Sequence, residues 1–146
     1  MRNLFDEKDL EEMIGRLKKL QADAKPRWGK LNVSGMLFHC HTVNRAILSG
    51  KTVGPPTLKQ KLMRIYVLNI LRKMPMGRQS NPRFFSSVES LQFENEKDQL
   101  MESILAFTKH REPIKGGHPV FGRMKKRDWG RFAWIHLDHH LRQFGV

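Results

Sequence analysis

The fold turns on Trp129 to Gly145, WGRFAWIHLDHHLRQFG. Three of the chain's seven histidines, His136, His139 and His140, fall within five positions of it. No Gly or Pro interrupts it between Arg131 and Phe144, and Phe132, Ala133, Ile135, Leu137, Leu141 and Phe144 recur at helical spacing. The stretch therefore reads as a helix. On it His136 and His140 are four residues apart and lie one turn above each other on the same face. Two imidazoles placed that way can both reach one divalent ion. His139 is turned about 60° from His136, because each residue advances about 100°, and either shares that face or points beside it. Asp138 stands two residues from each of the pair and points largely to the other side. An i,i+4 histidine pair also describes the polar edge of an ordinary amphipathic helix, so the metal reading depends on a third ligand elsewhere.

A candidate lies early in the chain. Asn32 or Ser34 can cap a helix that runs to about Ser49, with Gly50 beyond it as a stop. Met36, Leu37, Cys40, Val43 and Ile47 form its apolar stripe. His39 sits at the border of that stripe, whereas His41 points roughly 160° away from it. Of the two, His39 is better placed to face a core. Cys40 reads as a small buried apolar residue. If the two helices are neighbours in a bundle, His39, His136 and His140 converge. Three neutral imidazoles suit zinc, nickel or iron and leave positions open for water or substrate. Bundle cores commonly hold metals in this way.

The rest of the chain supplies the other helices. Asp6 to Leu20 carries Leu10, Met13, Ile14, Leu17 and Leu20 at helical spacing, with acids at its start and Lys18 and Lys19 at its end, as the helix dipole prefers. Pro26, Gly29 and Asn32 break the link that follows, and Trp28 in that link is expected to plug one end of a core. Leu58 to Lys73 forms a third helix, apolar over much of its circumference and basic at both ends. Such a helix can lie on a membrane, but the wide apolar coverage is more simply that of a helix packed in a bundle. Met74 to Val88, with Phe84 and Phe85 tucked in, is expected to be a long connection crossing the bundle. Glu89 to His110 reads as a further helix, clearest from Glu94, with Leu100, Ile104, Leu105 and Phe107 as its apolar face. Arg111 to Lys125 is a loop whose HPVFG (His118 to Gly122) leads into the histidine helix. Strand signals are weak throughout. The expected fold is all-α, a helical bundle in a single domain over residues 1–146.

Composition narrows the function classes. The 146 residues suffice for one domain with a sizeable core. The single cysteine excludes an intrachain disulfide and fits a reducing cytosol. The N-terminus lacks a signal-peptide pattern, and the most apolar run, Ile65 to Leu71, is far too short to span a bilayer; a cytoplasmic location is expected. The net charge is +13, and its distribution is uneven: from Ala24 to Val88 there are twelve Lys or Arg and no Asp or Glu. That field attracts anions, whether nucleic acid, anionic lipid or an acidic small molecule. There is no nucleotide-binding glycine loop, nucleophile elbow, helix-turn-helix, zinc finger or RNA-binding aromatic motif. The apolar character of the third helix would also permit a homodimer.

NVSGMLFH (Asn32 to His39) and HLDHHLRQF (His136 to Phe144) resemble the second helix and the C-terminal HxxxH helix of DinB-like proteins. With Trp28–Gly29, HPVFG and Trp129, the chain is similar above all to sequences of the DUF1569 type. The resemblance covers most of the chain and is weakest from Lys51 to Ser87. It implies a four-helix bundle with up-down-down-up connectivity and a metal held by His39, His136 and His140. It also implies a small-molecule substrate and either thiol-dependent transfer, with a low-molecular-weight thiol such as bacillithiol, mycothiol or glutathione, or hydrolysis through metal-bound water. A bundle that keeps the histidines without catalysis, or a basic bundle that binds nucleic acid or another anion, remains the competing reading. His118 either hydrogen-bonds near the site or caps the turn before Pro119. Arg142 or Gln143 either reaches an anionic substrate or stays at the surface.

Overall fold

The computed structural model of the protein describes residues 1–74 and 91–146, which are mostly helical. The histidine stretch opens earlier than its periodicity indicates: α5 spans Lys126–Gln143, with Gly130 inside it. Gly130 is required there for space. A Cβ at this position would lie 2.1 Å from Asn3 Oδ1 and 2.5 Å from the Phe5 ring. The N-terminal arm is laid across it, with Leu4 N–H donating to the Gly130 carbonyl (3.1 Å) and Asn3 Nδ2 to the Arg127 carbonyl (3.1 Å).

Before α5 come α1 (Glu7–Lys19), α2 (Val33–Ser49), α3 (Leu58–Ile65) and α4 (Phe93–Lys109). Asn32 is the residue that caps α2, its Oδ1 accepting from Gly35 N–H at 2.7 Å. Thr57 and Gln60 close a capping box at the start of α3. α3 does not continue to Lys73 as an α-helix. From Tyr66 to Leu71 it widens into a π-helix and ends at Arg72, whose backbone is left-handed (φ 53°). The predicted loop before α5 holds a two-residue antiparallel pair, β1 (Gly117–His118) and β2 (Gly122–Arg123). The expected crossing connection and its Phe84 and Phe85 lie outside the described residues.

α2 packs most extensively on α4 and also touches α5, while α5 packs on α1. Met13 and Leu17 from α1, Met36, Leu37 and Cys40 from α2, Leu100, Ile104 and Phe107 from α4, and Leu137 and Leu141 from α5 meet in one core. Each such side chain contributes about 1.5–3 kcal/mol by leaving water. Cys40 is buried as expected, and burial pushes its thiol pKa well up. Leu105 instead stands at the exposed edge of α4.

Two expectations change. α2 is enclosed on more than one side, so His41 is buried as well as His39: its Nε2 meets Glu96 Oε2 of α4 at 2.7 Å. One turn on, Asn44 Nδ2 donates to Ser103 Oγ at 3.1 Å. A polar layer therefore runs between α2 and α4. The third helix also turns its apolar stripe outward: α3 itself has no buried residue, and Leu58, Leu62, Ile65, Tyr66 and Ile70 are exposed. Among the described residues, no helix is long and apolar enough to cross a membrane.

Candidate metal centre

Where α2 touches α5, His39 meets His136 and His140. The ring centroids are 5.0 Å (His39–His136), 4.9 Å (His39–His140) and 4.8 Å (His136–His140) apart. One nitrogen from each ring lies within 4.8 Å of the others, a grouping with the donor set to hold a metal ion. The closest edge is His39 Nε2 to His136 Nε2 at 3.0 Å. Two neutral imidazoles at that distance either share one N–H or turn both lone pairs to a cation. All three rings are buried.

Burial also sets their charge. It lowers the pKa of His39 to about 4, helped by nearby His139. It lowers His140 to about 3, with His39 and His139 adding to the effect and the Gln143 hydrogen bond opposing it. His136 falls well below the usual histidine value, first through burial and then through the surrounding histidines. All three are therefore neutral near pH 7, the form that binds metal.

Gln143 fixes the tautomer of one of them. Its Nε2 donates to the Trp28 carbonyl at 2.6 Å, an atom that can only accept. The amide is thereby oriented, and its Oε1 faces His140 Nδ1 at 3.0 Å. Nδ1 must then carry the proton, which leaves the Nε2 lone pair of His140 available. Gly29 makes this arrangement possible: its φ is +81°, and a Cβ there would lie 2.7 Å from Gln143 Nε2. Arg27 N–H also donates to the Gln143 carbonyl at 2.7 Å. The link around Trp28 is therefore a strap over the end of α5. Trp28 does not plug the core; it is half-buried, edge-on to His139 at 5.7 Å.

The other candidates separate. His139 stands beside the cluster, its ring 5.1 Å from that of His140, and is outside the group of three. Asp138 faces away, bound to Arg16 at 2.8 Å and to Arg142 at 3.0 Å, so Arg142 has a surface role. His118 Nδ1 accepts from Val120 N–H at 3.1 Å, capping the β1–β2 turn. Its ring lies 4.8 Å from Phe132, which in turn stacks on His136 at 5.5 Å. Burial lowers its pKa to about 4. Sequence reasoning missed the role of Gln143, although its spacing three residues beyond His140 is the signal for a helical neighbour.

Fold and site together define a mostly helical protein with a buried three-histidine cluster. The family model that matches residues 2–145 is described as a protein of unknown function, DUF1569, and the chain belongs to that family. Comparison with curated proteins and with solved structures gives no match.

Proposed function

We propose that the protein is a metal-dependent enzyme of the DinB-like superfamily. In this reading the four long helices form an up-down-down-up bundle with a long crossover connection, in one domain over residues 1–146. His39, His136 and His140 hold a divalent zinc, nickel or iron ion. The observation that carries the reading is the convergence of three buried imidazoles, one nitrogen from each within 4.8 Å of the others. The donor chemistry fits: the three rings are neutral near pH 7, and His140 presents Nε2 because Gln143 occupies Nδ1. The 3.0 Å His39–His136 edge is close to the roughly 3.3 Å that two imidazoles span at about 2.05 Å from a tetrahedral ion.

When bound, such an ion supplies Lewis acidity and open positions at which water or a thiol becomes acidic. The protein's own residues do the rest. Burial keeps the three rings unprotonated. Gln143, held by the Trp28 carbonyl, orients His140. Phe132, stacked on His136, shields that ring from water. The substrate is a small molecule, and the reaction is S-transfer using a low-molecular-weight thiol or a hydrolysis.

Elemental analysis of protein purified without chelator tests this, with His136→Ala and His140→Ala alongside. About one zinc, nickel or iron per chain is expected in the native protein, as for a three-histidine catalytic site, and loss in both variants at unchanged helix content. Stoichiometric metal retained in both variants, or none in the native protein after metal is added back, overturns the assignment.

A further inference from the structure

α3 and its π extension are mounted the reverse of an ordinary surface helix. Three of their polar side chains, Gln60, Arg64 and Asn69, point at the protein. Gln60 Nε2 donates to the Pro119 carbonyl (3.2 Å), Arg64 Nη1 to the Arg123 carbonyl (3.0 Å), and Asn69 Oδ1 accepts from Arg131 (2.6 Å). Val67 and Leu68 are buried beside them. The apolar stripe points at solvent: Leu58 is 72% exposed, Leu62 58% and Ile70 68%, with Ile65 and Tyr66 between them half exposed. Leu58, Leu62, Ile65 and Tyr66 occupy an arc of about 100° on the α-helical wheel. Ile70 joins it because the i→i+5 turn, closed by Arg72 N–H on the Val67 carbonyl at 2.8 Å, takes up one extra residue.

Exposed apolar surface gathered in one stripe marks an interaction site. Charge decides the occupant. Lys59, Lys61, Arg72 and Lys73 are exposed around the stripe, and no acid occurs anywhere in residues 24–88. A second copy of the chain would bring this basic face against itself. A nucleic acid would satisfy the cations but not five aliphatic and aromatic side chains. An anionic lipid surface satisfies both, because acyl chains take the apolar stripe and headgroups the flanking cations.

We propose that the outward face of α3 and its π extension is a peripheral docking surface for anionic membrane lipid. Leu58, Leu62, Ile65, Tyr66 and Ile70 enter the headgroup–acyl boundary, and the lysines and arginines beside them meet the lipid anions. The protein lies on the bilayer without crossing it.

The test is co-sedimentation of the full chain with vesicles of phosphatidylcholine alone and of phosphatidylcholine mixed with phosphatidylserine. Binding is expected on the mixed vesicles and not on the neutral ones, and it weakens as salt rises from about 0.1 to 1 M and the screening length falls from about 10 to 3 Å. Ile70→Glu is expected to weaken binding about tenfold or more by placing a charge in the boundary. Lys59→Gln and Lys61→Gln should each weaken it about fivefold. Leu58→Ser, at the most exposed position, serves beside Ile70→Glu, with far-UV circular dichroism confirming that each is folded. Three results overturn the proposal. One is no binding to the mixed vesicles. Another is binding undiminished in the folded Ile70→Glu and Leu58→Ser variants, which would reduce it to charge alone. The third is a concentration-dependent dimer that these substitutions dissolve, which would make a second copy the occupant.

Discussion

Gln143 decides which nitrogen of His140 faces the cluster, and it does so through a bond to a backbone carbonyl 115 residues away. Replacing it with methionine keeps the length and apolar bulk of the side chain but removes both hydrogen bonds. In Gln143→Met, His140 is free to protonate either nitrogen and to rotate. Metal affinity is expected to fall about 10- to 100-fold, the usual effect of losing a partner that orients a ligating histidine. Competition against a chromophoric chelator measures this, and unchanged affinity would reduce Gln143 to a tether for the Trp28 strap. The same residue shows how far the site was legible. His136 and His140 declare themselves by a four-residue spacing, and His39 by its place at the border of an apolar stripe. Gln143 carries half of its signal locally, three residues beyond His140. The other half, the Trp28 carbonyl and the left-handed Gly29 that brings it close, involves backbone atoms, and residue types alone do not reveal them.

At the scale of the element, α2 is packed between α4 and α5, and its buried polar groups serve two purposes. His39 faces α5, while His41 and Asn44 face α4. His41→Ala would leave the Glu96 carboxylate buried without its 2.7 Å partner, with only Asn95 Nδ2 at 3.0 Å still donating to its other oxygen. A loss of about 2 kcal/mol is expected, within the range for leaving a buried hydrogen-bonding group without its partner. The double variant His41→Leu with Glu96→Leu should recover most of it, since both members of the pair are then apolar. Chemical denaturation of the three proteins checks this, and an unaffected single variant would mean that water replaces the imidazole. The amphipathic pattern located α1, α2, the clear part of α4 and α5 within a few residues, because each buries a stripe that periodicity reveals. Periodicity does not say how many neighbours a helix has, so burial of His41 opposite His39 was not visible. Nor does it say which way a stripe faces: α3 has the pattern of a packed helix but turns it outward, held by polar contacts to backbone carbonyls of a distant loop. The β1–β2 pair, two residues per strand, is too short to have a period at all.

For the whole molecule, the histidine cluster couples stability to pH. In the unfolded chain each histidine takes up a proton near pH 6.5. In the folded protein, burial delays this to about pH 4 for His39 and about pH 3 for His140, and His136 is also held well below its ordinary value. Above about pH 7 both states are neutral at these positions, so stability does not change through them. As pH falls below about 6.5 the unfolded chain binds protons that the folded protein refuses. Each such histidine then costs about 1.4 kcal/mol per pH unit until its folded pKa is reached. The metal-free protein, kept in chelator, should therefore show a denaturation midpoint that is level above neutrality and falls steeply between about pH 6.5 and 4. His136→Leu, which removes one of these groups, should flatten that fall by about one proton's worth of slope even though it also changes the midpoint at neutral pH. Adding zinc near pH 7.5 at about a hundred times its dissociation constant should stabilise the native protein by about 2.7 kcal/mol. If the proposed metal site is right, that increment should vanish in the same acid window, because the ion and the protons would then compete for the same three lone pairs. A midpoint that stayed level down to pH 4 in the metal-free protein would overturn this, because it would mean that the three rings take up protons as readily folded as unfolded.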